Sequence, residues 1–408
     1  MSSRPAEDAG RARSTRRQFL LGGAAAGVGA VAALGVERLV VPHPGPVEPE
    51  SAPVHGGDTV PFHGEHQAGI ATPAQAHAVF LGLDLRESVD REGLRGLMRT
   101  LSDDAARLTA GRGALADTEP ELAASPARLT ITFGFGPGFV ARAGGEAPSW
   151  LRPLPAFGVD RLRPELGDGD LLLQIAADDP LTVAHAARML LKDARRFARV
   201  RWRQQGFRRA HGTEAPGTTM RNLFGQVDGT SNPRPGTADF ERVVWIRDGW
   251  LAGGTGAVIR RIRLDLEGWD RIDRAGREQS VGRRLSDGAP LTGNREHDEP
   301  DFEALTPVGF PVIPAFSHVR RARSDDPRER IFRRAYNDDA NPEGEEVSES
   351  ALVFVSFQAD VDAQFVPLQR RLDELDLLNT WTTPIGSAVF AIPPGCAEGG
   401  WIGETLLS

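Results

Sequence analysis

The amino-acid sequence predicts an α+β fold with two ferredoxin-like halves, each an antiparallel sheet with helices packed on it. Three observations lead to this class. In the first half of the chain, segments with strand and helix patterns follow the order strand, helix, strand, strand, helix. The second half has a matching order of element types, although the halves share no residue-level repeat. Between them lies a polar segment with glycine and proline, 208–218, which predicts the boundary.

The elements of the first half are predicted from the spacing of apolar residues. Strands are predicted where apolar residues are continuous or alternate with polar ones, at 77–85, 127–135 and 170–176. Helices are predicted where apolar residues recur every three or four positions, at 91–108 and 182–200. An antiparallel sheet with both helices packed on one face accommodates this order.

The second half opens with a glycine-rich turn inside the segment 250–266, which predicts a hairpin or a strand. A helical pattern follows at 269–282. The sequence LVFVSFQ is rich in β-branched and aromatic residues and predicts a strand at 352–358. An amphipathic helix is predicted at 364–378, and a last strand at 387–392 closes the second sheet.

Composition places the chain among ordinary globular proteins. It has 408 residues, 40% of them apolar and 25% charged, which is enough for two compact domains. The formal net charge is −8, and the first 45 residues carry six arginines against three acids, so the remainder has a net charge of −11. This acidic body argues against a nucleic-acid partner. The single cysteine, Cys396, excludes an internal disulfide and is predicted to be a buried or turn residue.

The N-terminus has the features of a twin-arginine export signal. Arg16 and Arg17 stand directly before an apolar run rich in Gly, Ala and Val. We therefore predict export by the twin-arginine route to the periplasm, the cell envelope or the exterior. The alternative is a membrane anchor, for which the run is only just long enough. The predicted division of the chain is an export signal at 1–45, a Pro/Gly-rich linker at 46–61, and domains at 62–213 and 214–408.

The stretch RNLFGQVDGTSNP, residues 221–233, contains a candidate acid. Its pattern is Gly225-x-x-Asp228-Gly229. Glycine on both sides of an aspartate lets the backbone bend sharply and present the carboxylate to a cavity. Taken alone, the pattern also fits an ordinary turn, because Asp–Gly is a common turn dipeptide.

A second stretch, SHVRRARSDDPRERIFRRAYNDD, residues 317–339, combines a histidine with many arginines. A histidine ligates a metal through one ring nitrogen while the other donates a hydrogen bond to an acceptor. An arginine keeps its charge and stabilises negative charge that develops on oxygen. His318 and Arg333 are therefore chemically compatible in one cavity, and the alternative is a basic surface loop.

Together the two stretches resemble the dye-decolorising (DyP-type) peroxidases, a haem family. The resemblance covers nearly the whole body of the chain, with matches such as GGTGAVIRRIRLDLEGWDR, LVFVSFQADVDAQFVPLQ and GSAVFAIPPG. It implies haem b, one per chain, bound mainly in the C-terminal half. It implies that His318 is the proximal iron ligand and that Asp228 and Arg333 lie on the distal side. By the same resemblance, Gly229 and Thr230 lie beside the cofactor.

The chain departs from the family pattern in the segment after His318. The sequence HVRRARSDDPR is longer than the common motif before its proline, and the common R-R-G-Y becomes Arg333-Arg334-Ala335-Tyr336. Alignment on the arginine pair favours Arg333 as the distal arginine, with Arg334 as the alternative.

The resemblance implies a peroxidase that reduces hydrogen peroxide and oxidises dyes, phenols or other bulky organic donors. We assign Asp228 as the general acid–base and Arg333 as the group that stabilises charge while the O–O bond breaks. Because an unperturbed aspartate titrates near pH ~4, we expect an acidic optimum. Asp360 is the predicted acceptor for the second nitrogen of His318. Tyr336 and the seven tryptophans are candidate surface sites for the oxidation of bulky donors.

Two alternatives use the same pocket. Members of the exported branch of the family are also deferrochelatases, which remove iron from haem and leave the porphyrin intact, and components of an iron-uptake system would then be partners. A non-catalytic haem-binding protein is the other alternative, although binding alone needs neither Asp228 nor Arg333. The sequence leaves open whether the chain forms a homo-oligomer.

Overall fold

The computed structural model describes residues 54–342 and 348–408. The predicted export signal at 1–45 and the first part of the predicted linker, 46–53, lie outside the described residues. The described residues belong to one compact unit that runs from Val54 to Ser408. Within this part of the chain, no helix is both long enough and apolar enough to cross a membrane.

The first half has the predicted ferredoxin-like order and one strand more than the sequence indicated. Its elements are β1 (His77–Leu85), α1 (Arg91–Thr109), β2 (Thr130–Phe135), α2 (Pro137–Arg142), β3 (Leu171–Ala177), α3 (Pro180–Ala194) and β4 (Ala198–Phe207). The strands pair antiparallel in the order β2-β3-β1-β4. The helices α1 and α3 pack against each other and against the strands.

Aspartates set the starts of the two long helices. The Asp90 carboxylate accepts a hydrogen bond from the backbone N–H of Gly93 at 2.8 Å, and that of Asp179 accepts from Thr182 N–H at 2.8 Å. Such caps satisfy donors that have no partner within the first turn, and each stabilises the fold by about 1 kcal/mol. Pro180 suits the first helical position because no hydrogen bond is required of it there.

The second half repeats this arrangement around a longer middle section. Its elements are α4 (Ala238–Val244), β5 (Thr255–Leu264), α5 (Leu266–Asp270), α6 (Arg274–Val281), α7 (His318–Ala322), β6 (Phe332–Arg333), β7 (Tyr336–Ala340), β8 (Glu349–Gln358), α8 (Val366–Leu375), β9 (Thr382–Ile392) and α9 (Glu404–Leu407). The strands pair antiparallel in the order β9-β5-β8-β7. The two-residue strand β6 also pairs with β8. When β6 is set aside, the first strand of each half lies between the third and the last, which confirms the predicted α+β class with two ferredoxin-like halves.

The two sheets are joined at both edges. Phe135 of β2 pairs with Ala391 of β9, and Phe207 of β4 pairs with Asn337 of β7. Because β5 also pairs with β8, the strands close into a continuous ring. The sheet therefore continues across the predicted boundary near residue 213, and the division into two domains stays a prediction.

Strand β4 is the main element that the sequence prediction lacks. The helix predicted to residue 200 ends at Ala194, and β4 begins at Ala198. The side chains of β4 alternate between inside and outside, but the inward positions include Gln204 and Gly206 beside Trp202. An inward face that is only partly apolar gives no clear two-residue hydrophobic period, so the strand was not recognised.

Two predicted elements of the second half have a different form in the structure. The segment 250–266 contains the single strand β5 rather than a hairpin. The helix predicted at 269–282 is divided into α5 and α6. The division follows from Asp273, whose carboxylate accepts from the backbone N–H of Gly276 at 2.7 Å and starts a new helix.

Two acids between α1 and α3 should make the stability of the fold depend on pH. Burial, followed by the hydrogen bond and the charge of Asp104, raises the pKa of Asp193 to about 7. The folded chain then holds a proton that the unfolded chain releases near pH ~4. The bound proton therefore stabilises the folded state to its full extent below pH ~4, and this stabilisation is lost as the pH rises through about 7.

Replacing Asp193 with asparagine should flatten this dependence. We expect the unfolding temperature of the wild type to fall between pH 4.5 and pH 8 by more than that of Asp193→Asn. The difference corresponds to roughly 1–2 kcal/mol after allowance for solvent screening. Thermal unfolding of the purified protein measures it, and Asp103→Asn, at an exposed position of α1, is the matched control. Equal pH profiles for the wild type and Asp193→Asn would contradict the prediction.

Candidate active site

A cavity of about 720 Å³ lies against the sheet of the second half. Its apolar wall comes from three elements, with Ile262 and Leu264 on β5, Leu352 and Phe354 on β8, and Leu368 and Leu372 on α8. Side chains two positions apart on a strand share a face, which explains why alternate residues of β5 and β8 line the cavity. The volume falls within the range of roughly 300–1,000 Å³ that is usual for cofactor and ligand pockets.

His318, the first residue of α7, lines this cavity beside a buried carboxylate. Its Nδ1 lies 2.6 Å from Oδ2 of Asp376, so the ring donates to the carboxylate through this nitrogen. The other oxygen of Asp376 accepts from the backbone N–H of Leu378 at 3.0 Å, which fixes the carboxylate. The pair leaves Nε2 of His318 as the nitrogen that can bind a metal.

Burial and the carboxylate act in opposite directions on His318. Burial lowers the pKa of His318, but the charge and hydrogen bond of Asp376 raise it, and the net pKa lies above the ordinary value. The side chain keeps 32% of its surface exposed, at a position that lines the cavity. Asp376 therefore holds a proton on Nδ1 and orients the ring for a ligand at Nε2.

The prediction that Asp360 accepts a hydrogen bond from the second ring nitrogen of His318 is wrong. The Asp360 carboxylate accepts from the backbone N–H of Ala363 at 2.9 Å and begins the π-helical turn Val361–Phe365. Asp376 occupies the predicted role because it stands at the end of α8, which packs against α7. The available signal was an acid at the end of an amphipathic helix, but no sequence motif connects that acid to His318.

Asp228 and Arg333 meet in the same cavity. Nη1 of Arg333 lies 2.9 Å from Oδ1 of Asp228, whose side chain is 10% exposed. Gly225 and Gly229 have φ angles of +79° and +128°, in the left-handed region that favours glycine. The two glycines therefore allow the sharp bend that the sequence pattern predicted around Asp228.

Asn232 is a positioning residue that the sequence prediction lacks. Its side-chain amide donates to the backbone carbonyl of Arg333 at 2.7 Å. Its amide oxygen accepts from the backbone N–H of Arg333 at 3.0 Å. This double hydrogen bond fixes the strand residue Arg333 to the loop that carries Asp228, so the ion pair has a rigid support.

The structure distinguishes the two neighbouring arginines. Arg333 lines the cavity, whereas the Arg334 side chain is directed toward the first half of the chain. There it donates to Oε1 of Gln75 at 2.6 Å and to the backbone carbonyl of Thr72. Successive residues of an extended chain point to opposite sides, so only one of the two can reach the cavity.

Gly229 and Thr230, the other predicted cofactor contacts, also line the cavity. The hydroxyl of Thr230 donates to Oε1 of Glu296 at 3.0 Å, and the hydroxyl of Thr219 donates to the same oxygen at 2.6 Å. Glu296 therefore ties the loop of Asp228 to a second loop at the cavity. Contact of Gly229 and Thr230 with the cofactor stays a prediction.

Tyr336 is not a surface residue, so its predicted role as a surface site for bulky donors is wrong. The side chain is 1% exposed. Its ring lies 5.9 Å from that of Phe80, and the guanidinium of Arg208 lies 4.9 Å from the ring centre. Tyr336 belongs to the apolar cluster formed by strands of both halves, because its position on β7 faces the interior.

Family models match both parts of the described chain. The model for the N-terminal region of Dyp-type peroxidases matches residues 67–208, and that for the C-terminal region matches residues 219–397. The chain belongs to the Dyp-type peroxidase family. The matched C-terminal region contains Asp228, His318 and Arg333.

Individual relatives support this membership. A dye-decolorizing peroxidase of Thermobifida fusca is 35% identical over 98% of this chain and 99% of its own length. A deferrochelatase of Yersinia pseudotuberculosis is 34% identical over 85% of this chain and 84% of its own length. The crystal structure of a DyP-type peroxidase from Cellulomonas bogoriensis has a TM-score of 0.85 and 52% identity, and the match covers 87% of this chain and 100% of that one.

This family member is a haem-dependent peroxidase, and haem b is its expected cofactor. The residues of the cavity fit that group. They include His318 with a free ring nitrogen, a wide apolar wall and a buried acid that orients the His318 ring. A single protein ligand suits iron that a porphyrin already coordinates through four nitrogens.

Proposed function

We propose that this Dyp-type peroxidase uses His318, Asp228 and Arg333 as its ligand, acid–base and charge-stabilising groups. The observation that supports the proposal is that all three line one cavity, with His318 held by Asp376 and Asp228 paired with Arg333. The bound haem would supply an iron centre that accepts electrons from a donor and passes them to peroxide.

Asp228 is the group placed to move a proton. Hydrogen peroxide must lose a proton from one oxygen and gain one on the oxygen that leaves as water. A carboxylate within hydrogen-bond reach takes the first proton and returns it to the second oxygen, directly or through a water molecule. Most of the Asp228 side chain is buried in the cavity wall, where bulk water competes little for that proton.

Arg333 contributes a fixed positive charge. Its Nη1 lies 2.9 Å from Oδ1 of Asp228, so the guanidinium is held beside the group that is proposed to move the proton. During cleavage of the O–O bond, negative charge develops on the leaving oxygen, and a guanidinium that Asn232 already holds in place stabilises it without reorganisation. An unperturbed aspartate stays ionised, and can accept a proton, down to about pH 4, so we propose an acidic optimum.

The donor is proposed to be a dye, a phenol or another bulky aromatic compound. The name of the Thermobifida fusca relative supports dyes as one class. The names of the Yersinia relatives support a second candidate function, removal of iron from haem with the porphyrin left intact. Both functions need His318 and the cavity, and an iron-uptake system would be the partner of the second.

One assay separates the two functions. The purified protein is incubated with haem, and in parallel with peroxide and a dye, while dye bleaching and protoporphyrin fluorescence are followed. We expect bleaching that depends on peroxide and no rise in protoporphyrin. The same measurements on His318→Ala and on free haem are the controls. Stoichiometric protoporphyrin release without bleaching would move the assignment to a deferrochelatase.

We also propose that the protein is exported by the twin-arginine route to the periplasm, the cell envelope or the exterior. The support is the sequence of the first 45 residues, with Arg16 and Arg17 before the apolar run. Fractionation of cells that express the full chain tests the proposal, and retention of the protein in the cytoplasm would contradict it. A homo-oligomer and iron-uptake partners remain open proposals.

A further inference from the structure

Arg283 differs from the other arginines of the cavity wall because it forms no ion pair with a described residue. It is 8% exposed and lines the cavity. Its Nη1 donates to the backbone carbonyls of Gly288 and Glu296, both at 2.8 Å. The four other arginines of the wall each pair with a carboxylate, namely Arg260 with Asp160, Arg323 with Glu299, Arg330 with Asp239 and Arg333 with Asp228. Charged side chains are rarely buried without a partner, so Arg283 requires an explanation.

Two further donors of this guanidinium, Nε and Nη2, remain open. They form no hydrogen bond within the part of the chain that the structure describes. The unpaired nitrogens of Arg260, Arg334 and Arg371 are sealed inside the protein, whereas Nε and Nη2 of Arg283 keep accessible surface. Nε and Nη2 lie on one edge of the guanidinium, and two N–H groups side by side match the two oxygens of a carboxylate. These two donors are the open edge of Arg283.

Close packing on both sides places Arg283 between α7 and the loop of the proposed acid–base. A side chain at Gly282 would overlap Val319 of α7, and one at Gly288 would overlap Val227 of that loop. Both valines line the cavity. The segment is therefore fixed in the wall that joins the two sides of the cavity, and Nη1 is turned away toward the carbonyls of its own loop.

The charges around Arg283 do not balance it. Burial lowers the pKa of Arg283, and the charges of Glu296 and Glu299 only partly oppose this, while Arg333 and Arg323 act in the same direction as burial. Glu299 already pairs with Arg323, and Oε1 of Glu296 accepts from two threonine hydroxyls. An anion that reached the open edge would supply the charge and the acceptors that the protein leaves out.

We propose that the open edge of Arg283 is an anion-binding position of the cavity wall, where Nε and Nη2 donate to a carboxylate. The carboxylate has two sources of the same chemistry, namely a propionate of the haem or the carboxylate of a small aromatic donor. The first source rests on the haem cofactor, and the second rests also on the proposed oxidation of aromatic donors. Neither depends on the roles proposed for Asp228 and Arg333.

Two variants of Arg283 test the proposal. Arg283→Gln removes the charge and the open edge but keeps an amide that can donate to the loop carbonyls. Arg283→Lys keeps the charge and removes the paired donors. Arg330→Gln is the matched control, because Arg330 also lines the cavity but is already held by Asp239 and by the carbonyl of Ser231 at 3.1 Å.

The full-length protein is loaded with haem or with haem dimethyl ester, which has the same ring without free carboxylates. Transfer of each group to an excess of a haem-accepting protein is followed by absorbance. In a second arm, calorimetry measures the binding of benzoate and of its neutral analogue benzamide to the haem-loaded protein. A loosened loop would affect both members of each pair alike. Neither readout uses peroxide, so failure of the proposed mechanism does not affect them.

If the carboxylate belongs to the porphyrin, wild type should lose haem about 10- to 100-fold more slowly than the ester, the range expected for hydrogen bonds to a charged group. This ratio should fall in Arg283→Lys, fall further in Arg283→Gln, and persist in Arg330→Gln. If the carboxylate belongs to a donor, the ratio should not change. Benzoate should then bind wild type about 10- to 100-fold more tightly than Arg283→Gln, with benzamide unaffected.

The proposal is overturned if Arg283→Gln changes neither the ratio of haem to ester loss nor the affinity for benzoate. The wild type provides an independent test should Arg283→Gln fail to fold. Equal rates of haem and ester loss from the wild type, together with no preference for benzoate over benzamide, would also overturn it.

Discussion

His318→Ala should abolish the Soret band of the purified protein, or shift it strongly, because it removes the nitrogen that we assign to the haem iron. The cavity of this variant keeps its apolar wall, so some haem can remain by shape alone. Without an axial histidine, however, the iron would take water or no ligand on that side, and the spectrum would change. Absorption spectra before and after one equivalent of peroxide measure both effects.

The neighbouring acids supply the controls for this prediction. Asp376→Asn should keep the haem but make His318 a weaker electron donor to the iron, because an amide does not hold the Nδ1 proton as a carboxylate does. Asp360→Asn should leave the spectrum unchanged, since its carboxylate caps a turn and does not contact His318. An unaltered Soret band in His318→Ala would mean that another residue binds the iron.

The fold could be predicted from the sequence because its main signals are local. Apolar periodicity located β1, α1 and α8 closely, and it is produced by the face that each element buries. The bend at Asp228 was also predictable, since Gly225 and Gly229 adopt φ angles that other residues avoid. Strand β4 was not predictable, because its inward face carries glutamine and glycine beside a single tryptophan.

The parts of the site that could not be predicted depend on long-range packing. Asp376 lies 58 positions from His318 in the chain, and Asn232 lies 101 positions from Arg333. These contacts form because α7 packs on α8 and because Asn232 of the Asp228 loop is hydrogen-bonded to Arg333 of β6. The choice between Arg333 and Arg334 was likewise set by which residue of the extended segment faces the cavity.

Asp228→Asn should slow the reaction with peroxide by about 10²- to 10⁴-fold, which is the usual contribution of a general acid–base. Asparagine has nearly the same shape and leaves the haem and His318 in place, so the resting spectrum should be retained. It cannot accept the proton of peroxide at any working pH, because its amide is not basic. Stopped-flow absorbance after mixing with peroxide gives the rate, and Asp325→Asn, an exposed acid that lines the same cavity, is the matched control.

The pH profile of the same reaction distinguishes proton transfer from a structural effect. If Asp228 carries the proton, donor oxidation by the wild type should be fastest in acid, and the residual rate of Asp228→Asn should lose that dependence. If Asp228→Asn merely loosened the loop, it would lower the rate and keep the profile, because the titrating group would then be another residue that the variant still contains. Arg333→Leu should retain the acidic profile at a reduced rate, since it removes the stabilising charge and leaves the carboxylate. A flat optimum at neutral pH in the wild type would count against Asp228 as the acid–base.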